Sequence, residues 1–361
     1  MKGKTVLEII ESAAKSGATT LDLSNKRIRL LPESIGILTN LTELFLNGNQ
    51  LTVLPEIIGK FKKLSKLYLD GNQLTTLPVT IGELISLREL SLSKNQLTAL
   101  PGAIENLINL KKLYLSGNQL TKVPDFIGNF SNLTVFQIHL NKLKSLPNSI
   151  VKLKNLKLLY IDRNQFSDWP IQLDHLTQIE DFSIDINLII ERIQHIEKFM
   201  QLKRLWLDDQ GLSRLPEEIC ELNSLLYLNL SNNKQISLPD AIGKLTKLST
   251  LYLSRNQLSA LPDTIGKLSN LIDLNLSGNQ LTVLPSAISK LGKLVRLYLN
   301  QNQLKTVPRG IEKLSNLTTL HLDSNRLTTL PETFGKLTDL EELYSITSQI
   351  FVFCAKEFLT Q

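Results

Sequence analysis

Cysteine is almost absent: Cys220 and Cys354 are the two in 361 residues, far apart and in unlike surroundings. No disulfide framework is visible, which fits a reducing compartment or a cap that needs no bridge. No apolar run is long enough to span a membrane. The opening MKGKTVLEIIESAAKSG is interrupted by Glu8 and Glu11 and is not a signal-peptide core. Catalytic wording is missing too. The histidines His139, His175, His195 and His321 stand beside no cysteine or serine in a nucleophile motif, and there is no HExxH or CxxC. Gly3-Lys4-Thr5 has the ending of a phosphate-binding loop but lacks its leading glycine and strand. Net charge is a modest +6, and Lys244, Lys267, Lys290, Lys313 and Lys336 read as a solubilising outer surface rather than a phosphate-binding stripe.

What is present in quantity is one repeated unit. Steps of 23 from Leu248 land on Leu41, Leu64, Leu87, Leu110, Leu133, Leu156, Ile179, Leu202, Leu225, Leu271, Leu294, Leu317 and Leu340 without an insertion. In Leu248 to Asn270 the apolar positions are Leu248, Leu251, Leu253, Leu258, Leu261, Ile265 and Leu268, with Asn256 and Pro262 at fixed places. Alternation around Leu251 predicts a short strand with one buried face. Pro262 fixes φ where a helical or 3₁₀ return begins. All 13 prolines, from Pro32 on, fall at this one position of the unit, which supports the register. The recurrent asparagine, Asn187 included, has two donors and a two-lone-pair acceptor to satisfy the bend of its own and the next coil. One coil cannot bury enough to order itself, so the stable object is the array.

The pattern LxxLxLxxNxLxxLPxxIxxL resembles leucine-rich repeat proteins of the 23-residue LPxxI type, over 13 full units from Leu41 to Asp339 and a partial one before them. The GNQLT and LPxxIGxL wording is similar to leucine-rich repeat proteins of Leptospira and some cyanobacteria. The resemblance implies an α/β fold, a curved solenoid horseshoe with a parallel sheet on its concave face and short helical or 3₁₀ segments on its convex face. Resemblance to leucine-rich repeat ubiquitin ligases, or to repeat arrays joined to GTPases, would require a separate catalytic domain.

Along the chain, residues 1–17 are expected to form a capping helix, with Thr5 and Glu8 in capping-box spacing and Gly17 at its stop. Residues 18–339 form the array. Residues 340–361 are a degenerate last repeat in which Ile350, Phe351, Phe353 and Phe358 fold over the final edge, or else pair with another chain. Two places break the pattern. Ile179 to Gln201 lacks Leu-Pro, has Arg192 and Ile193 there, and spaces Ile189, Ile193, Ile196 and Met200 like one helix face; Gln210 then replaces the asparagine. Function, bending, drift and a duplication seam all stand open there. In Asn233-Lys234-Gln235-Ile236 the apolar residue comes one place late, which predicts a bulge.

The outward strand positions hold Phe45, Tyr68, Tyr114, Tyr160, Trp206, Tyr252 and Tyr298, alternating with Ser91, Gln137, Ser183, Asn229 and Asn275. A 46-residue period therefore underlies the 23-residue one. Glu43, Lys66, Glu89 and Lys112 alternate two places earlier, as do Asp181 and Arg204, and Asp273 and Arg296; strands about 4.8 Å apart allow them to pair laterally. The rings either flatten on a solvated sheet or, with Arg204 among them, form a protein-binding patch; base stacking fits poorly because acids share the face. His139, Asp162, Asp185 and Asp208 follow one another on adjacent strands, either as a solvated acidic strip or as a seat for a cation. Non-enzymatic scaffolding of a protein or peptide on the concave face is the expectation, with no cofactor, no nucleic acid and no membrane insertion. A monomer or weak dimer through the C-terminal edge, in the cytoplasm, goes with it; the alternative, which the family resemblance alone implies, is a leaderless secreted host-binding adhesin or effector.

Overall fold

The computed structural model describes residues 5–191 and 198–344, and the chain divides into two compact units, Met1–Ile184 and Asp185–Gln361. The expectations placed on Gly3 and Lys4, on Arg192, Ile193, His195 and Ile196, and on the tail from Ile350 to Phe358 lie outside the described residues.

In the first unit α1 spans Val6–Ser16. Thr5 Oγ1 accepts from the Glu8 amide and Glu8 returns a carboxylate to the Thr5 amide at 2.7 Å. These reciprocal bonds satisfy amides that a helix start leaves bare. Gly17 closes the helix at φ 63°, a conformation that costs glycine nothing. Ile10 and Ala13 face inward, but Leu7 is 52% exposed, so the apolar stripe is narrower than its composition.

Eight three-residue strands follow: β1 (Thr20–Asp22), β2 (Glu43–Phe45), β3 (Lys66–Tyr68), β4 (Glu89–Ser91), β5 (Lys112–Tyr114), β6 (Val135–Gln137), β7 (Leu158–Tyr160) and β8 (Asp181–Ser183). Each pairs in parallel with the next, and every pairing joins residues 23 apart, as Leu44 with Leu67 and Leu67 with Leu90. One sequence period is thus one strand step. Leu64, Leu67, Leu69, Leu74, Ile81 and Leu84 of a single coil are all at 0% exposure. Each proline begins a five-residue 3₁₀ turn, as Pro78 at φ −66° does for Val79–Glu83. The proline carries no amide that this turn would leave unpaired.

The asparagines close the bend. Asn95 donates to Leu92 O in its own coil at 3.0 Å and to Leu69 O at 2.9 Å, and its Oδ1 accepts from Leu74 N at 3.0 Å. The bonds therefore run back to the preceding coil rather than forward. Asn49, Asn72, Asn118, Asn141 and Asn164 repeat them. A second ladder lies on the outer corner, where Asn109, Asn132 and Asn155 each donate to a carbonyl of the coil before, Ile85, Ile108 and Ser131.

The second unit carries α2 (Ile186–Glu191) and strands β9 (Arg204–Trp206), β10 (Tyr227–Asn229), β11 (Thr250–Tyr252), β12 (Asp273–Asn275), β13 (Arg296–Tyr298), β14 (Thr319–His321) and β15 (Glu342–Tyr344). These pair in parallel in the same 23-residue register. Asn233, Asn256, Asn279, Asn302 and Asn325 continue the ladder. Asn187 does not: it sits exposed on α2, because the chain turns into a helix where the bend would be. Gln210 uses its longer side chain to accept from Ile186 N at the start of that helix.

No bulge forms at Gln235. Its amide donates to Asn256 Oδ1 at 3.0 Å, the bond Leu258 makes to Asn279. Gln235 fills the leucine slot at 0% exposure, and Ile236 is 60% exposed. Slipping the register by one would have broken every later ladder bond, so the chain buries a carboxamide instead.

Candidate functional site

Period-two alternation directs residues 3 and 5 of every coil to one side of the sheet, and there the first unit shows how its aromatic row is built. Phe45 and Tyr68 stack at 4.9 Å with their planes 4° apart. That separation is one strand spacing, so the rings stand with their faces along the array. Ser91 follows, 5% exposed, its hydroxyl donating to Asp70 Oδ1 at 2.5 Å. Tyr114, Gln137, Tyr160 and Ser183 continue the alternation, and Asp162 accepts from Ser183 as Asp70 does from Ser91.

Charges are coupled to the rings. Lys66 lies 2.8 Å from Glu43, and Lys112 lies 3.3 Å from Glu89. Burial beside Glu89 pushes the Tyr68 phenol well above the ordinary tyrosine range, and burial likewise raises Tyr114. Tyr160 donates its hydroxyl to Asp181 at 2.8 Å. Tyr68 and Tyr160 thus each bond an acid in the third place of the next coil, whereas the coil after Tyr114 has Val135 in that place.

In the second unit Tyr252 reaches Asp273 at 3.3 Å, and Asp273 takes Arg296 Nε at 2.7 Å. Burial, then the neighbouring Asp273, raises the phenols of Tyr252 and Tyr298. Rings here are denser than the alternation predicts. Tyr227, in the third place of its coil, lies 4.4 Å from Trp206 and 5.5 Å from Tyr252, so three rings adjoin. It was missed by following only the fifth place; the tyrosine opposite a small Asn229 was the available signal. His321 similarly bridges Tyr298 at 4.8 Å and Tyr344 at 4.3 Å. Arg204 is exposed beside Trp206.

The residues considered for a cation are otherwise employed. His139 Nδ1 is 2.8 Å from Ser116 Oγ, Asp162 accepts from Ser183 and lies 3.6 Å from Arg163, and Asp208 accepts from Asn229 at 3.1 Å. Asp185 precedes α2, half-buried. Among the described residues no three His, Cys, Asp or Glu side chains gather as metal ligands. The buried thiol of Cys220 is pushed up to about 12 by desolvation, which leaves it a poor nucleophile. No helix among the described residues is long and apolar enough to cross a membrane.

A family model described as a leucine-rich repeat region matches residues 99–191, 187–278 and 264–358, and two further leucine-rich repeat models match 62–120 and 39–80. No curated protein matches the chain. A leucine-rich repeat protein of Leptospira interrogans is 38% identical, with a TM-score of 0.71 over 90% of this chain and 83% of that one. The ectodomain of the Arabidopsis thaliana receptor kinase GASSHO1/SCHENGEN3, solved in complex with CASPARIAN STRIP INTEGRITY FACTOR 2, is 26% identical at a TM-score of 0.59, over 92% of this chain and 45% of that one. An internalin of Listeria monocytogenes, 23% identical at a TM-score of 0.62 with 94% of each chain covered, shares the fold. The fold is in general that of a protein-interaction scaffold, typically without enzymatic activity. The chain belongs to the leucine-rich repeat family.

Proposed function

We propose that the chain is a non-enzymatic scaffold that captures a protein or peptide on the exposed face of its sheet, which in this family is the concave one. The observation that carries this is the ring row. Phe45, Tyr68, Tyr114 and Tyr160 in the first unit, and Trp206, Tyr252 and Tyr298 in the second, remain half-exposed while every leucine beneath them is sealed. Half-buried rings held by neighbours lose little side-chain freedom on binding, which is why Tyr, Trp and Arg dominate protein-binding hot spots. Arg204 adds a planar donor beside Trp206. The Arabidopsis ectodomain was solved with a partner, which agrees with this use of the fold.

Paired variants test it. Tyr114→Ala with Tyr160→Ala alters the first unit and Trp206→Ala with Tyr252→Ala the second; Ile85→Ala, on the outer surface at 57% exposure, is the control. Proteins captured by the intact chain are identified, and their retention by each variant is measured. At least one ring pair should lose capture at least tenfold while the control retains it. If both pairs retain full capture, the sheet face is not the site.

A further inference from the structure

The two units carry different chemistry at the place just before each strand. From Thr42 to Glu180 that place holds polar or charged residues only, whereas in the second unit it holds Leu226, Ile272 and Val295. Ser249 N donates to Leu226 O, Ile272 N to Ser249 O and Val295 N to Ile272 O, each at 2.8 Å, so these four residues follow one another on consecutive coils. Leu226 is 41% exposed and Ile272 40%. The coil itself does not require an apolar residue there, since Ser65 and Lys111 serve the same place in the first unit.

This strip runs directly into the ring cluster. Tyr227 follows Leu226 in the chain and adjoins both Trp206 and Tyr252. Asn229, on the strand between those two, is buried, so the three rings present a continuous surface rather than a cleft. Aliphatic and aromatic area that adjoins in this way and stays in contact with water marks a surface made for another protein.

The charges around it have one sign. Lys203, Lys247 and Lys293 stand beside the strip, Arg204, Arg255 and Arg296 stand beside the rings, and all six are exposed. Lys247 and Arg255 form no ion pair among the described residues. The acids of the same coils are withdrawn: Asp273 is buried and holds Tyr252 and Arg296, and Asp208, half-buried, accepts from Asn229. Among the described residues on this side of β9 to β13, Asp209 is the one exposed acid. Such a surface attracts an anionic partner and repels a cationic one. A bare phosphate chain would satisfy the cations and leave Leu226 and Ile272 facing water. Carboxylates interleaved with apolar side chains satisfy both.

We propose that the second unit's sheet face, from β9 to β13, takes an acidic protein segment that bears large apolar side chains. The apolar side chains cover Leu226, Tyr227 and Ile272, while carboxylates meet Lys247 on the side of the strip and Arg255 on the side of the rings. The proposal rests on the sheet face being the capture surface and names what that surface selects.

The test uses the full chain and a fluorescent peptide of three Asp-Glu-Leu-Phe repeats, followed by anisotropy. Two comparison peptides replace every acid by lysine, or every Leu and Phe by serine. The acidic apolar peptide is expected to bind at least tenfold more tightly than either and to weaken as salt is raised. Leu226→Thr with Ile272→Thr installs the residue that Thr42 and Thr134 provide in the first unit, at positions exposed enough to keep the melting temperature; it should cost at least tenfold in affinity. Lys247→Gln with Arg255→Gln should cost at least as much, and Tyr114→Ala with Tyr160→Ala should cost nothing. Equal affinity for the three peptides, no binding of any, full binding by the Leu226→Thr, Ile272→Thr protein, or tighter binding of an oligothymidylate of equal charge overturns the proposal. Partner capture by the Trp206→Ala, Tyr252→Ala protein separates the failures. Capture lost there without peptide binding overturns only the acidic apolar segment, whereas capture retained by both ring-pair proteins overturns the sheet face itself.

Discussion

Replacing Gln235 by leucine should stabilise the protein. Gln235 is at 0% exposure, and both its Oε1 and its Nε2 lack a hydrogen-bond partner among the protein's own groups. The coils on either side place Leu212 and Leu258 in the same slot. An amide buried without a partner costs about 1 to 3 kcal/mol in protein contexts. Leucine removes that penalty, nearly conserves volume, and turns polar contacts into apolar ones worth about another 1 kcal/mol. The expected gain is about 2 to 4 kcal/mol. Urea unfolding reads it as a raised midpoint with an unchanged slope. Because long arrays can unfold in stages, exchange of the β10 and β11 amides gives a local check, and these amides should exchange more slowly. Ile236→Gln, at a position 60% exposed, should change stability by no more than about 0.5 kcal/mol. A lowered or unmoved midpoint for Gln235→Leu would mean that the carboxamide is satisfied, and the account of the leucine slot would be wrong.

Asn118→Ala removes the donor to Leu92 O and Leu115 O, both at 2.9 Å, and the acceptor for Leu97 N at 3.0 Å. Three buried backbone groups at about 1 to 3 kcal/mol each predict a loss of at least about 3 kcal/mol in urea; a loss under about 1 kcal/mol would empty the ladder of energetic meaning. At Gly82 a Cβ would lie 2.3 Å from Ala103 O, while at Gly102 it would meet nothing within 4 Å. Gly82→Ala should therefore destabilise by about 1 to 3 kcal/mol and Gly102→Ala stabilise by about 0.4 to 1 kcal/mol, and equal effects would contradict the close approach of neighbouring turns. Tyr68, Tyr114, Tyr252 and Tyr298 are all raised in the folded chain. Above about pH 10 the unfolded chain ionises first, so the stability present below that range falls as pH rises through it. Melts across alkaline pH should decline less steeply for Tyr68→Phe, and identical slopes would refute burial as the cause.

The period made the fold legible, because each strand step repeats one run of apolar, amide and proline residues and parallel register follows from equal lengths. Three features were not legible for identifiable reasons. Gln235 read as a bulge because an apolar residue was sought in the sequence, whereas the bond to Asn256 weighs more than the identity of one side chain. Asn187 read as a ladder rung by position alone, but a rung exists only if its coil bends there, and α2 replaces that bend. The outer asparagines Asn109, Asn132 and Asn155 were visible at a constant place and passed unread, since their acceptors belong to the coil before. Of the candidate site, the row and its charge alternation were plain from the sequence. That tyrosine hydroxyls are committed to acids on the next strand depends on side-chain direction, which no spacing reveals.

The doubled period of the face has a cause separate from the period of the core. In-register stacking sets identical residues one strand apart. For leucine under leucine this gives apolar contact, and for asparagine under asparagine a bond to the coil behind, so the buried half of each coil keeps one wording. For two carboxylates it gives repulsion at about 4.8 Å, and for two rings a stack or a tilt. Where rings do occur on successive strands they tilt, Trp206 on Tyr227 by 39° and His321 on Tyr344 by 45°, meet edge to face as Tyr227 with Tyr252 and Tyr298 with His321, or stack as Phe45 and Tyr68 do. Alternating Lys66 with Glu89 and Tyr68 with Ser91 resolves charge and bulk together, and Tyr68, Tyr160 and Tyr252 each gain an acid acceptor they would lack if the neighbour coil were a copy of their own. A partner that touches this face therefore meets a repeat twice as long as the one that built it.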